Sequence, residues 1–156
     1  MPQNFYGASP VSVESVSAVT ATPSVQLGTK RTENGEDYIY LYNNGNTQIT
    51  VGAGVIISAL SGYSVTVSSL TNLGAFVAVN KHATVASAYY FWGMTRGFAS
   101  VLGTASTALA AGDPIGPGLN GTWSQQTGAL TMAIQGTVLV ATGSGGVGMA
   151  YVRCFG

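Results

Sequence analysis

The run Asp37-Tyr-Ile-Tyr-Leu-Tyr-Asn43 sets Tyr38, Tyr40 and Tyr42 against Ile39 and Leu41, an alternation with a period of two. That period belongs to a strand with two distinct faces. Asn43-Asn44-Gly45 comes next, residues that tolerate positive φ, and predicts a turn. Short runs of similar character recur at 47–51, 54–59, 63–68, 75–80, 85–92, 98–102, 129–135, 137–141 and 147–154. Hairpin turns are predicted at Asn44-Gly45, Ser61-Gly62, Asn120-Gly121 and Gly145-Gly146. Strands spaced at roughly 8–12 residues with turns between them predict an all-β fold, a small antiparallel β-barrel or sandwich. Helical periodicity is weak; 104–111 offers at most a turn or two.

Residues 1–27 have a different texture. They hold Pro2, Pro10 and Pro23 with a Ser/Val/Thr run between them, and Glu14 is their one charged side chain. Proline at that spacing discourages regular pairing, so 1–27 reads as an extended N-terminal arm and 28–156 as the β domain. Valines spaced along the arm, Val11 and Val13 among them, with Phe5 and Tyr6, suit it to lie over a neighbouring subunit or a shell protein and complete a strand edge there.

A faint internal echo runs through the domain. Ala53-Gly54-Val55-Ile56, Ser61-Gly62 and Gly74-Ala75-Phe76-Val77-Ala78-Val79 return as Ala111-Gly112-Asp113-Pro114-Ile115, Asn120-Gly121 and Gly128-Ala129-Leu130-Thr131-Met132-Ala133-Ile134. Two similar β units would produce it, and so would generic hairpins.

Composition then narrows function. Only 6% of residues are charged, 46% are apolar, and the formal net charge is zero. Such a chain gains no solubility from net repulsion, and a monomer would expose more apolar surface than soluble monomers usually tolerate. An assembled, self-associating protein is expected, with contacts through the strand Tyr89 to Trp92 or the C-terminal strand pair. Nucleic acid is not an expected partner, because Lys30-Arg31 is the one adjacent basic pair and Glu33, Glu36 and Asp37 answer it, which reads as a solvated turn of mixed charge. Cys154 is the single cysteine, so no intrachain disulfide forms, and it reads as a small apolar strand residue. The N-terminal residues show no signal-peptide pattern, and 75–92 is broken by Asn80-Lys81-His82 and falls short of a membrane span. Cytoplasmic synthesis and no membrane are the expectations.

No motif builds a catalytic site. Gly143-Ser-Gly-Gly-Val-Gly148 fits G-x-G-x-x-G, yet it leads into a strand-like run and the end of the sequence, where a dinucleotide site needs a helix and a later acid. It reads as a glycine hairpin loop. His82 is the single imidazole and sits in a polar turn, Asn80-Lys81-His82; with no G-x-S-x-G elbow, a Ser-His-acid triad has little support. One His and one Cys supply no structural zinc set. Asp113 before Pro114 reads as a turn residue, and Asn120-Gly121-Thr122, formally a glycosylation sequon, as a turn. No enzyme, no cofactor and no metal are expected. Tyr89, Tyr90, Phe91 and Trp92 form the densest aromatic cluster; on a strand they fall two to each face, which suits a core plus a partner contact, or a carbohydrate-stacking platform.

Taken in order, these pieces resemble a known family. Val25-Gln-Leu-Gly28 is followed by Gly35-Glu-Asp-Tyr-Ile-Tyr-Leu41, Thr50-Val-Gly-Ala-Gly-Val55 and Phe76-Val-Ala-Val79. Then come Tyr89-Tyr-Phe-Trp92 leading to Gly97, Ala110-Ala-Gly-Asp-Pro-Ile115, and Gly145-Gly-Val-Gly-Met-Ala-Tyr-Val152. The Tyr-x-Trp followed by Gly and the Ala-Gly-Asp-Pro are the most specific parts; the arm has no family pattern. The series resembles the small β-rich head proteins of tailed bacteriophages that decorate or cement the capsid. The resemblance implies a non-enzymatic virion protein made in the host cytoplasm. It implies binding to the major capsid protein on the outer surface of an icosahedral shell, often as a homotrimer. A carbohydrate-binding or adhesin-like module of a phage head or tail fibre is the alternative.

Overall fold

The computed structural model describes residues 14–58, 63–69, 74–127 and 134–154. Within them an 11-stranded mixed sheet forms. Its strands are β1 (Val19–Thr20), β2 (Lys30–Glu33), β3 (Glu36–Asn43), β4 (Gly54–Ile57), β5 (Ser64–Val67) and β6 (Ala78–Val79). They continue as β7 (Tyr90–Leu102), β8 (Pro114–Pro117), β9 (Trp123–Gln125), β10 (Gly136–Val140) and β11 (Val147–Arg153). The expected all-β class holds.

The sheet closes on itself twice. β3 pairs with β5, β5 with β4, β4 with β6, β6 with β7, and β7 back with β3. The same circuit then repeats from β7: the bridge Gly103–Trp123 joins its end to β9, β9 pairs with β8, β8 with β10, β10 with β11, and β11 back with β7. Each ring has one parallel contact, β3–β5 in the first and Gly103–Trp123 in the second, and the rest are antiparallel. Closing a sheet removes edges that would otherwise invite foreign strands.

The repetition extends to single bonds. Gly52 N–H donates to Asn80 O at 2.8 Å, and Gly112 N–H donates to Val138 O at 2.8 Å. Val85 N–H reaches Ile49 O as Thr142 N–H reaches Leu109 O, and Val77 N–H to Val55 O matches Gln135 N–H to Ile115 O. The chain is therefore an internal duplication with β7 serving both halves, and the faint sequence echo falls on it: Gly54 and Val55 pair with Val79 and Ala78 as Pro114 and Ile115 pair with Thr137 and Gly136. Ile39, Leu41, Ile49, Val55, Val65 and Phe91 fill the first ring. Ala99, Val101, Leu109, Ile115 and Trp123 occupy the equivalent interior of the second.

Gly52 and Gly112 take the same place in the two halves, with φ of 84° and 93°, which is left-handed backbone that side chains disfavour. A Cβ at Gly112 meets nothing within 4 Å, whereas one at Gly52 comes within 3.1 Å of Leu102 N and 3.2 Å of Ser100 O. Gly112→Ala should therefore cost about 1 kcal/mol from the backbone alone, and Gly52→Ala clearly more because the β7 backbone cannot move aside. Urea denaturation of both variants checks the order, and equal losses would contradict it.

Several sequence expectations need correction. The region of mixed charge after Thr29 is not simply a solvated turn: Lys30–Glu33 is an edge strand on β3, and the turn is Asn34-Gly35, with φ of 53° and 79°. Asn44-Gly45 is not a hairpin. Asn43 Oδ1 accepts the Gly45 N–H at 3.0 Å and the chain leaves the sheet, because β3's next neighbour is β5, parallel to it. The expected break between Trp92 and Phe98 is absent. β7 runs straight through, since Gly93 sits where a Cβ would lie 2.7 Å from Ala78 and Leu41 side-chain carbons, and Gly97 allows a φ of 143°. Among 47–51 the only bridge partner is Ile49, to Val85, and no helix forms at 104–111.

Two expected hairpins are present. β8 and β9 pair around Asn120, whose φ is 55°, and β10 and β11 pair around the loop that carries Gly143, Gly145 and Gly146. Ser61-Gly62 and most of 129–135 lie outside the described residues.

Candidate functional site

The expected partner-binding residues separate on the fold. Phe5, Tyr6, Val11 and Val13 lie outside the described residues. Tyr89 is 37% exposed, and Tyr90 is half-buried with its ring 4.8 Å from that of Tyr42. Phe91 and Trp92 are a correction: both are buried and cannot meet a partner. Phe91 does point into the first ring and Trp92 away from it, as alternation requires. Alternation does not reveal that this chain covers the second face too.

The cover is the segment 14–27, which lies on this chain's own sheet rather than reaching a neighbour. β1 pairs with β7, Val19 opposite Phe91. Val16, Val25 and Leu27 pack into the cluster that holds Tyr38, Tyr40, Trp92 and Met94. The Ser24 N–H and Ser24 Oγ both donate to Tyr40 Oη at 3.1 Å. Arg31 lies over the Trp92 ring, 5.9 Å from its centroid, and donates to Glu14 O at 2.7 Å. Polar tips tie the strap down while its valines supply apolar contact.

The counterpart face on the second ring has no such cover among the described residues. In the first ring the covered positions are the pairs Tyr38–Met94, Tyr40–Trp92 and Tyr42–Tyr90; in the second they are Phe98–Tyr151, Ser100–Met149 and Leu102–Val147. Phe98 is 52% exposed, Met149 46%, Val147 59% and Tyr151 39%. The Phe98 and Tyr151 rings meet edge to face at 5.2 Å, and Leu139 and Val140 of β10 continue the patch. The C-terminal strand pair is an expected contact, but the expectation does not single out these residues. A signal was there: β11 alternates Val147, Met149 and Tyr151 with Gly148, Ala150 and Val152, so the larger side chains point outward. A strand whose small residues face the core presents its large ones to something else.

A constellation of titratable groups lies by β3. Lys81 Nζ donates to both carboxylate oxygens of Glu36, Tyr38 Oη donates to Glu36 Oε2 at 2.6 Å, and His82 Nε2 lies 3.4 Å from Tyr38 Oη with the rings stacked at 5.8 Å. Burial raises the Glu36 carboxyl, but the hydrogen bonds from Lys81 and Tyr38 outweigh it and hold it below the ordinary value of 4.5. Burial and the bond to Glu36 push the Tyr38 hydroxyl well above its usual 10. Burial, then the Lys81 charge, lowers His82 below 6.5. The Glu36 carboxylate is saturated with donors and the phenol is held protonated, so Glu36 and Lys81 form a structural ion pair, with the neutral His82 imidazole stacked beside Tyr38. Nearby, a groove of about 340 Å³ is lined by Lys30, Arg31, Thr32, Asp37, Tyr38 and Thr95. Its carboxylate is also engaged: Asp37 accepts from Arg96 Nε at 2.9 Å and Thr32 Oγ1 at 2.8 Å.

These directions set the response to pH. The neutral imidazole is favoured in the folded chain, so His82 contributes stability above pH 6.5 that is lost as pH falls through its folded value; the Glu36 contribution is present above 4.5 and lost below it in the same way. A proton NMR titration should place His82 below 6.5, and Lys81→Ala should raise that midpoint by removing a nearby cation. A midpoint above 6.5 would show that the Glu36 charge dominates instead.

Among the described residues no group of three or more His, Cys, Asp and Glu is placed to hold a metal, and no helix is long and apolar enough to cross a membrane. Cys154 is buried, and burial drives its thiol well above the ordinary range, so it is held as an inert thiol. Asp113 is the turn residue expected, its Oδ2 accepting the Ala110 N–H at 2.7 Å. No protein-family model matches this chain, and no curated protein matches it in sequence.

Proposed function

We propose that this chain is a structural protein of an assembly and, on the resemblance in its sequence, one that decorates the outer surface of a tailed-bacteriophage capsid. The exposed apolar face of β7, β11 and β10 carries the reading. Phe98, Val147, Met149 and Tyr151 stand together on it with Leu139 and Val140 beside them, and a chain with 6% charged residues has little else to keep such a face apart from other molecules. The saturated Glu36 cluster agrees with a role that involves no catalysis. Of the aromatic run that a carbohydrate reading would use, Phe91 and Trp92 are buried and Tyr89 is exposed.

The test is to mix the purified protein with shells assembled from the major capsid protein encoded near it and to sediment them. Decoration predicts saturable binding at hundreds of copies per shell and shells that survive higher temperature. Absence of the protein from the sedimented shells, or a few copies on each, sinks the reading.

A further inference from the structure

The internal duplication shows what the exposed face lacks. Equivalent sheet faces exist in both halves, made by β3 with β7 in the first and by β7 with β11 in the second. The first is closed by a segment of this chain, 14–27, and the second stands open among the described residues. The residues immediately before that strap, 1–13, continue its composition: Phe5, Tyr6, Val11 and Val13 among Ser, Gly and Pro, with no Asp, Glu, Lys or Arg. We propose that residues 1–13 of a second copy of this chain lie across the open face of β7, β11 and β10, as 14–27 lies across its counterpart. This deepens the reading of that face as an assembly surface, and rests on it.

Three considerations favour this occupant. The first is chemical. The strap that solves the same problem in the first half uses valines for contact and small hydroxyls for anchoring, and 1–13 has the same two classes plus two aromatics to meet Phe98 and Tyr151. The second is length. Thirteen extended residues reach about 45 Å, whereas three adjacent strands measure about 10 Å across, so the segment can both bridge to a neighbour and cover the face. The third is direction. β2 and β11 lie on opposite sides of the β3–β7 pair. The strap runs back from Val19 on β7 to Glu14, whose carbonyl is held by Arg31 of β2. Glu14, the first described residue, thus lies on the β2 side, with the first half's covered face between it and the open face, and a neighbouring molecule is the natural recipient of the segment before it.

The experiment needs no shell protein. The mass of the full chain in solution is followed over a range of concentrations by analytical ultracentrifugation, beside two full-length variants. Met149→Lys places a charge in the middle of the open face, and the double substitution Phe5→Ser with Tyr6→Ser removes the aromatics of the segment. Met149 is 46% exposed, so Met149→Lys should keep the β-type circular dichroism spectrum and the melting temperature. The expected result is an oligomer for the unaltered chain and a weakening of self-association by roughly tenfold or more in each variant. A full chain that stays monomeric at every concentration overturns the proposal. So does an oligomer that neither variant weakens. Dissociation by Met149→Lys alone would also overturn it, because another surface of the second copy, not 1–13, would then cover the face. Dissociation by the double substitution alone would overturn it as well, since 1–13 would then dock elsewhere. An oligomer that behaves as proposed but binds no shell would leave this inference standing and remove the decoration reading.

Discussion

Trp123→Ala should cost about 3–5 kcal/mol, the range for removing a fully buried large aromatic. Against a total of about 5–15 kcal/mol for a domain of this kind, that leaves a chain close to unfolding at ordinary temperature. Trp123 is completely buried at the centre of the second ring, its indole meets Phe76 edge to face at 4.8 Å, and its Nε1 donates to Gly52 O at 3.0 Å. The size of the loss reflects how the two halves fill their interiors. The position of Trp123, opposite Gly103, is held in the first half by Val65, opposite Asn43. The position of Phe91, opposite Leu41, is held in the second half by Gly148, opposite Val101. One ring takes its bulk from the last strand and the other from the hairpin, and Gly148 has no room to compensate, since a Cβ there would lie against Thr142 Cγ2. Trp123→Phe, which keeps most of the volume but loses the indole N–H, should cost only about 1–2 kcal/mol. Chemical denaturation of both variants decides the matter; similar losses would mean that the hydrogen bond, not the volume, holds the ring.

Gln135→Leu should cost about 2–5 kcal/mol although it conserves volume and increases apolarity. Gln135 is buried and acts as a short piece of backbone: Oε1 accepts the Phe76 N–H at 2.8 Å, and Nε2 donates to Phe76 O at 2.6 Å. Leucine leaves both of those backbone groups buried, each costing about 1–3 kcal/mol. Phe76 belongs to the first half and Gln135 to the second, so this amide holds the two rings together, as the Trp123–Gly52 bond does. Both substitutions act on the surroundings of Phe76, and the double variant should lose less than the sum of the singles. A Gln135→Leu protein as stable as the parent would show that water reaches Phe76 and that the site is less closed than its burial indicates.

The β character, two of the hairpins and the turn role of Asp113 were legible in the sequence because each is a local matter. Period two in Tyr38–Tyr42 needs only neighbouring residues, and Asn120 with Gly121 makes a hairpin from its own backbone preferences. Asn43-Asn44-Gly45 shows the limit of that logic: its turn is real, yet whether a turn becomes a hairpin depends on which strand returns beside β3. The Lys30–Glu33 edge strand was hidden because its charges resemble those of a loop, although Asn34-Gly35 is as good a hairpin signal as any other in the chain.

The open face divides along the same line. Alternation along β11 states that Val147, Met149 and Tyr151 share a side, and alternation at Tyr89–Trp92 states that Phe91 and Trp92 oppose each other. Neither states what covers each side. By itself the sequence determined that the chain is a β protein with little charge and large apolar residues on both faces of its strands, because side-chain direction in a strand is set residue by residue. Only the tertiary structure decided that the sheet closes into two rings sharing β7, that 14–27 buries Trp92, and that Met149 and Tyr151 are left in the open. Those outcomes depend on register and contacts between segments far apart in the chain, where the large residue of one ring is replaced by a different large residue, from a different strand, in the other.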